Sequence, residues 1–306
     1  MQTIEEDFIA DLLMTTTHHY VMFFTNFGRV YRLKAYEIPE ATRTAKGTPA
    51  VNFLNLMQRE RITAVIPIKE FAEDKFLIAV TKQGTIKKTA LSNFDTNRKT
   101  GLIAMNLKDG DELVAIKQTS GSDNVIIITK NGKCICFSED DVRPMGRIAG
   151  GVRAIKLEDD DEVVSMELVQ PHEELLVVTS NGFGKRTPVK DYKIQARGGK
   201  GLLTYDKSKF KKTGRLIGAM VVDEDDEILL INSEGTIIRI KANEVSKLGR
   251  ATQGVKIMRT DDESNIISMA KVIREEEHER DMELALKKKA EKKSNDDEPE
   301  QTKMKL

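Results

Sequence analysis

The chain has 306 residues, with 49 Lys and Arg against 49 Asp and Glu and a formal net charge of zero. Hydrophobic residues make up 39% and charged residues 32%, which fits a globular body with a heavily charged surface and excludes a one-sign polyelectrolyte. No apolar run reaches the roughly 18 residues of a membrane span, and the opening MQTIEEDFIADLLMTTTHHY lacks the basic n-region of a secretory signal. The sequence therefore reads as cytoplasmic, with no membrane partner.

In chain order, a β-rich run, FIADLLMTTT, precedes the first of five similar hairpins, VMFFTNFGRVYRLKAYEI. The others are FLIAVTKQGTIKKTALSNF, VIIITKNGKCICFSEDDV, LLVVTSNGFGKRTPVKDY and ILLINSEGTIIRIKANEV. Each joins an apolar run, a short turn ending in Gly, and a second strand with cations. Asn-Gly at 131–132 and 181–182 predicts two-residue hairpin turns. The turn glycines, Gly28, Gly84, Gly132, Gly182 and Gly235, set a period of 48 to 56 residues.

A second glycine follows each turn: Gly47, Gly101, Gly151, Gly201 and Gly254, 19 residues on in four units and 17 in the other. It closes a loop rich in Gly and cations, of which Q-A-R-G-G-K-G at 195–201 is the clearest. A short strand comes next (AVNFLNL, LIAMNL, VRAIKL, LLTY, VKIM), and acidic turns such as KDGDE and EDDDE lead into another. About four strands per unit predict an all-β radial architecture, a propeller or pinwheel with five evident repeats. The absence of Trp argues against WD-type blades. The chain begins and ends mid-unit, so either the last strand, NIISMAKVI, closes the ring on the first or a unit is missing at the N-terminus. Like-charge blocks after Arg274 predict a partly helical or disordered tail, 274–306, outside a folded body at 1–273.

Cys134 and Cys136 share one face of a strand and cannot bridge. The histidines at 18, 19, 172 and 278 do not complete a metal set with them. Nothing resembles a nucleophile–base constellation or a phosphate loop feeding a helix, so the chain reads as no enzyme by itself and needs no cofactor.

The cations fall in phase. Four residues after the turn glycines stand Arg32, Lys88, Cys136, Arg186 and Arg239, with Lys87, Lys133 and Lys185 nearby. Four before the loop glycines stand Arg43, Asn97, Arg147, Arg197 and Arg250, and Asn97 is followed by Arg98 and Lys99. Lys46 and Lys200 precede their loop glycines by one residue; Arg153 and Lys256 follow theirs by two. Equal phases of a repeat share one surface. These cations therefore predict a positive stripe, with the acids at 109–112, 158–162 and 223–227 on another edge. Solubility requires charge, but not one sign at one phase, so a polyanion partner is expected. Glycines such as Gly198 and Gly199 let the backbone approach phosphate closely, and Arg offers a fork for two of its oxygens. Without a recognition helix or an Asn/Gln cluster, the expected contact is with the backbone of double-stranded DNA.

Q-A-R-G-G-K-G is similar to the gyrase box, Q-R-R-G-G-K-G, with Ala196 where the box has Arg. YEIPEATRTAKGTPAVNFLNL, ERITAVIPI and TSNGFGKRTPVKDY resemble the C-terminal domain of the DNA gyrase A subunit, a likeness that runs from residue 1 to about 273. It implies a six-bladed β-pinwheel wrapping DNA around a basic rim, here without the first blade, where the family carries its box. It also implies two partners, the remainder of the gyrase A polypeptide and the gyrase B polypeptide, to which ATP and Mg belong, and a part in ATP-dependent negative supercoiling. The family's nucleophilic tyrosine lies in another domain; Tyr20, Tyr31, Tyr36, Tyr192 and Tyr205 all fall within the repeats. The equivalent domain of topoisomerase IV is the nearest alternative, and a propeller that binds an acidic protein is an alternative of another class.

Overall fold

Five hairpins organise the computed structural model, which describes residues 13, 15–41, 47–96, 101–259 and 264–272. They pair Tyr20–Thr25 with Arg29–Lys34, Phe76–Thr81 with Thr85–Ala90, and Asn124–Thr129 with Lys133–Ser138. Glu174–Thr179 with Phe183–Pro188 and Glu227–Asn232 with Ile237–Lys241 complete the set. The tail expected at 274–306 lies outside the described residues.

The turns are wider than Asn-Gly predicts. Three residues, 130–132, join the strands of the third hairpin; Gly132, at φ +76°, donates its N–H to Thr129 O at 3.0 Å. A side-chain cap holds this width. Thr129 Oγ1 accepts from Lys133 N at 3.2 Å and donates to Asp161 Oδ2 at 2.7 Å, while Asp161 Oδ1 accepts from Asn131 N at 2.8 Å. Thr81 and Asp111 repeat the device, taking the Thr85 and Gln83 amides at 3.1 and 2.9 Å.

The third strand of each blade comes from the same unit as its hairpin: Ile62–Ile68, Leu113–Thr119, Val163–Val169, Leu216–Val222 and Ile266–Val272. The fourth strand does not. Leu102–Ile103 of the second unit pairs with Arg29–Lys34 of the first blade, and Val152–Arg153 with Thr85–Ala90 of the second. Leu202–Leu203 and Val255–Lys256 do the same for the third and fourth. Every such strand is lent to the blade before. The fifth blade has three strands among the described residues. In the first unit, AVNFLNL reads as a strand but forms a 3-10 turn, Ala50–Asn52. No earlier blade among the described residues offers it an edge, so Leu54 folds back onto Val21, Phe23 and Tyr31.

Cores lie between blades. Ile127, Ile135 and Phe137 of the third blade pack on Ile78 and Val80 of the second. From its other face, Ile126, Ile128, Cys134 and Cys136 pack on Leu175 and Val177 of the fourth. Burial pushes the two thiols up to about 12 and about 11, so both behave as small apolar side chains. Third strands of neighbouring blades pack together and line a space of about 430 Å³. They are therefore innermost, and the lent short strands outermost.

Each lent strand is only two residues long, so its seating depends on the glycine before it. At Gly201, φ is +69° and a Cβ would stand 2.3 Å from Cys134 O. Gly201→Ala is expected to cost about 3 kcal/mol, combining left-handed strain with the clash. Thermal denaturation should show the fall in Tm. Gly146, where an added Cβ would meet nothing within 4 Å, is the control; Gly146→Ala should change stability by less than about 0.5 kcal/mol.

Candidate nucleic-acid interface

The glycine loops leave and rejoin the outermost edge. Met145 N donates to Lys88 O at 2.8 Å, and the chain returns with Val152 opposite Ile86. Gln195 N to Cys136 O at 2.9 Å and Leu248 N to Arg186 O at 2.8 Å mark the same departure on the next two blades. Residues 146–151, 196–201 and 249–254 thus stand on the perimeter.

Their arginines are fixed in series. Arg147 Nη1 donates to Ile103 O at 3.4 Å, Arg197 Nη1 to Arg153 O at 3.0 Å, and Arg250 Nη1 to Leu203 O at 3.4 Å. Each guanidinium crosses to the short strand on the preceding blade. Main-chain bonds follow the same crossing: Asn106 N to Ala149 O at 3.3 Å, Lys156 N to Gly199 O at 2.8 Å and Asp206 N to Thr252 O at 3.3 Å. Gly198, at φ +80°, donates its N–H to Ala154 O at 2.6 Å. Each loop therefore touches the short strand or the segment that follows the loop before it, making one belt across four blades. These carbonyl partners are neutral, so they hold the guanidinium groups without cancelling their charge. Arg153, Lys200 and Lys256 are exposed on the same belt.

Between the second hairpin turn and the third loop lies a cleft of about 650 Å³ lined by Lys108, Arg153 and Lys156, with no carboxylate among its lining residues. Lys108 and Lys156 were not expected there. Lys156 stands five residues after Gly151, as Arg259 does after Gly254, so a repeated phase did mark it.

Other predicted cations are placed differently. Arg43, Lys46, Arg98 and Lys99 lie outside the described residues. Arg32, Lys87, Lys88, Lys185 and Arg186 are buried, a correction to their expected place on the surface stripe. Lys87, Lys88, Lys185 and Arg186 occupy consecutive positions of hairpin strands, and a blade stacked on both sides has no solvent face for either phase. Arg32 lies on the first blade against the Phe94 segment of the second unit. Arg32 lies over the Tyr20 ring at 4.5 Å and bonds Asp95 at 3.3 Å. Lys88 donates to Gly121 O at 2.8 Å, beside the Glu139 carboxylate at 3.6 Å. Arg186 meets the buried Glu174 at 2.6 Å. Arg239, on the terminal blade, is exposed but bonded to Glu227.

The acids are likewise not segregated to another edge. Glu158 bonds both Lys133 and Lys207, whose ammonium groups hold its carboxyl at about 2, well below the usual carboxylate range. Glu162 pairs with Lys82 and Lys130 at 3.1 and 2.8 Å. Asp111 and Asp161 are spent on turn amides.

Stacked blades that exchange their outer strands, with arginine loops on the perimeter, define a propeller-like β-pinwheel. The family model described as "DNA gyrase C-terminal domain, beta-propeller" matches residues 19–69, 75–120, 123–170, 173–223 and 226–273, one stretch per blade. The chain belongs to this family. It is 56% identical over 272 residues to the DNA gyrase A subunit of Clostridium acetobutylicum, covering 89% of this chain and 32% of that protein. To the Salmonella typhimurium gyrase A subunit it is 41% identical over 268 residues, covering 88% and 30%. The chain thus spans about a third of the length of these curated relatives, the part corresponding to their C-terminal domain. The solved C-terminal domain of DNA topoisomerase IV superposes with a TM-score of 0.79 at 27% identity, over 84% of this chain and 80% of that one. A solved DNA gyrase A C-terminal domain gives 0.73 at 29%, over 87% and 90%. Among the described residues no helix is long and apolar enough to cross a membrane.

Proposed function

We propose that this domain binds double-stranded DNA without reading its sequence, and bends and wraps it around the perimeter. The carrying observation is the belt in which Arg147, Arg197 and Arg250 are each tied to a carbonyl of the preceding blade. Smooth bending of 20–30 bp by 40–90° costs on the order of 1–6 kcal/mol, so contacts must be numerous and evenly spaced. A repeat meets both needs. Exposed Arg153, Lys200 and Lys256, with Gly198 and Gly199 in the loop between, extend the contact set.

In this reading the domain serves gyrase A and works with the rest of that polypeptide and with gyrase B in ATP-dependent negative supercoiling, inside a bacterial cytoplasm. ATP and Mg are handled elsewhere in that assembly. Identity of 56% to a gyrase A subunit supports the gyrase assignment over topoisomerase IV, whose C-terminal domain is close in shape.

Relaxing plasmid in the protein's presence, then removing it, tests wrapping. Retained writhe of fixed sign is the expected result, with a binding constant falling at a log–log slope of roughly −0.9 per phosphate neutralised. Binding without retained writhe would reduce the role to attachment alone. A strongly acidic protein captured in place of DNA would support the interaction-platform alternative.

A further inference from the structure

Two lysines expected on the perimeter lie beneath it. Lys87 and Lys185 each stand three residues after a turn glycine, on the second and fourth blades, and are 1% and 0% exposed. Lys87 Nζ donates to Ala104 O at 2.6 Å, to Ala149 O at 3.2 Å and to Arg147 O. Lys185 Nζ donates to Gly249 O at 2.6 Å, to Thr252 Oγ1 at 3.1 Å and to Arg250 O. Each ammonium holds, from below, the main chain of a loop whose arginine stands on the belt. The third blade has Ile135 at this phase and therefore no such clamp.

We infer that Lys87 and Lys185 are positioning residues of the DNA interface, whose protonated ammonium groups draw the loop carbonyls inward and so set Arg147 and Arg250 for phosphate. This rests on the DNA-binding reading. An ammonium has three donors and no acceptor; a neutral amine turns a lone pair toward one of those oxygens. Loss of the proton therefore loosens the loop.

The bonds to both ammonium groups come from carbonyl and hydroxyl oxygens. The charged or titratable groups facing them are Arg147 at Lys87, and Cys134 and Arg250 at Lys185, with the Tyr205 ring 5.7 Å from Lys185. Burial first, then the like charge of Arg147, brings Lys87 down to about 8. Burial brings Lys185 down to about 7, with the like charge of Arg250 adding to the fall. Phosphate held by either arginine offsets the like charge and favours the protonated lysine. By linkage, binding DNA takes up protons, and affinity falls as pH rises through this window.

Stability moves the other way. Both folded values lie below the ordinary 10.5, so across the interval between them the unfolded chain binds more protons and stability rises with pH. A lysine that served packing alone would not weaken DNA binding while the fold grew more stable.

The test is calorimetric titration of the whole chain with a duplex at low salt, in buffers of differing ionisation enthalpy, with affinity followed from about pH 6 to about pH 9. Wild type should show proton uptake and a fall in affinity of about tenfold per lysine for each pKa unit that bound phosphate restores. Lys87→Met and Lys185→Met should each remove their share, and both together should flatten the profile. If a Met variant does not fold, wild-type proton uptake decides alone. DNA binding with no buffer-dependent heat, or uptake unchanged in the folded double variant, overturns the inference and leaves the DNA-binding reading intact. No binding at low salt overturns both.

Discussion

Arg147→Gln, Arg197→Gln and Arg250→Gln combined are expected to weaken duplex DNA binding on the order of a hundredfold at about 0.15 M salt. The estimate assumes one phosphate per arginine, each removing roughly 0.9 from the log–log salt slope. The slope is the decisive readout, because it counts lost phosphate contacts whatever the sequence of the duplex. Gln ends two bonds short of the guanidinium Nη1 and releases the carbonyls of Ile103, Arg153 and Leu203, but these bonds are exposed, so water replaces the lost donor. Thermal stability should therefore change little. The Glu triple variant, which adds repulsion, should abolish binding at moderate salt. Filter binding or fluorescence anisotropy across a salt series checks both, and an unaltered slope in the Gln variant would remove these loops from the interface.

Much of this was legible in the residues. The fifty-residue period, the turn glycines and the apolar hairpin strands marked the blades, since stacked sheets bury both faces and need continuous apolar runs. The loops marked themselves through the glycine phase. Two things stayed hidden. Nothing local says that VRAIKL pairs with the second blade and not the third, because a two-residue strand carries no register signal of its own; its seat is fixed by Gly151 and by bonds from Ala154 to Gly84 O. Nor does phase separate surface cations from buried ones. Arg186 and Arg197 look alike as repeated cations, yet one lies within a stacked strand and the other on a loop. The acidic turns misled for a similar reason: Asp111 and Asp161 serve as caps for hairpin turns, a tertiary contact that spacing does not reveal.

That distinction yields a second large effect, of opposite kind. Arg186 is 5% exposed and donates to Glu174 Oε2 at 2.6 Å, to Val245 O at 2.9 Å and to Asn243 O at 3.4 Å. It ties its own blade to the segment that carries the fifth loop. Arg186→Met is expected to cost about 3 to 5 kcal/mol, chiefly because Glu174, 6% exposed, loses its buried partner and keeps only Lys247. Adding Glu174→Leu should recover part of that loss, since the remaining penalty is the buried carboxylate and not a missing contact. Urea denaturation of the single and double variants measures both quantities. Where Arg186→Met remains folded, its salt slope for DNA should match wild type, because this guanidinium reaches no phosphate. Stability lost without slope at Arg186, and slope lost without stability at Arg197, would separate the cations that build the blades from those that face DNA. A reduced slope in folded Arg186→Met would place the interface on the hairpin strands and not on the loops.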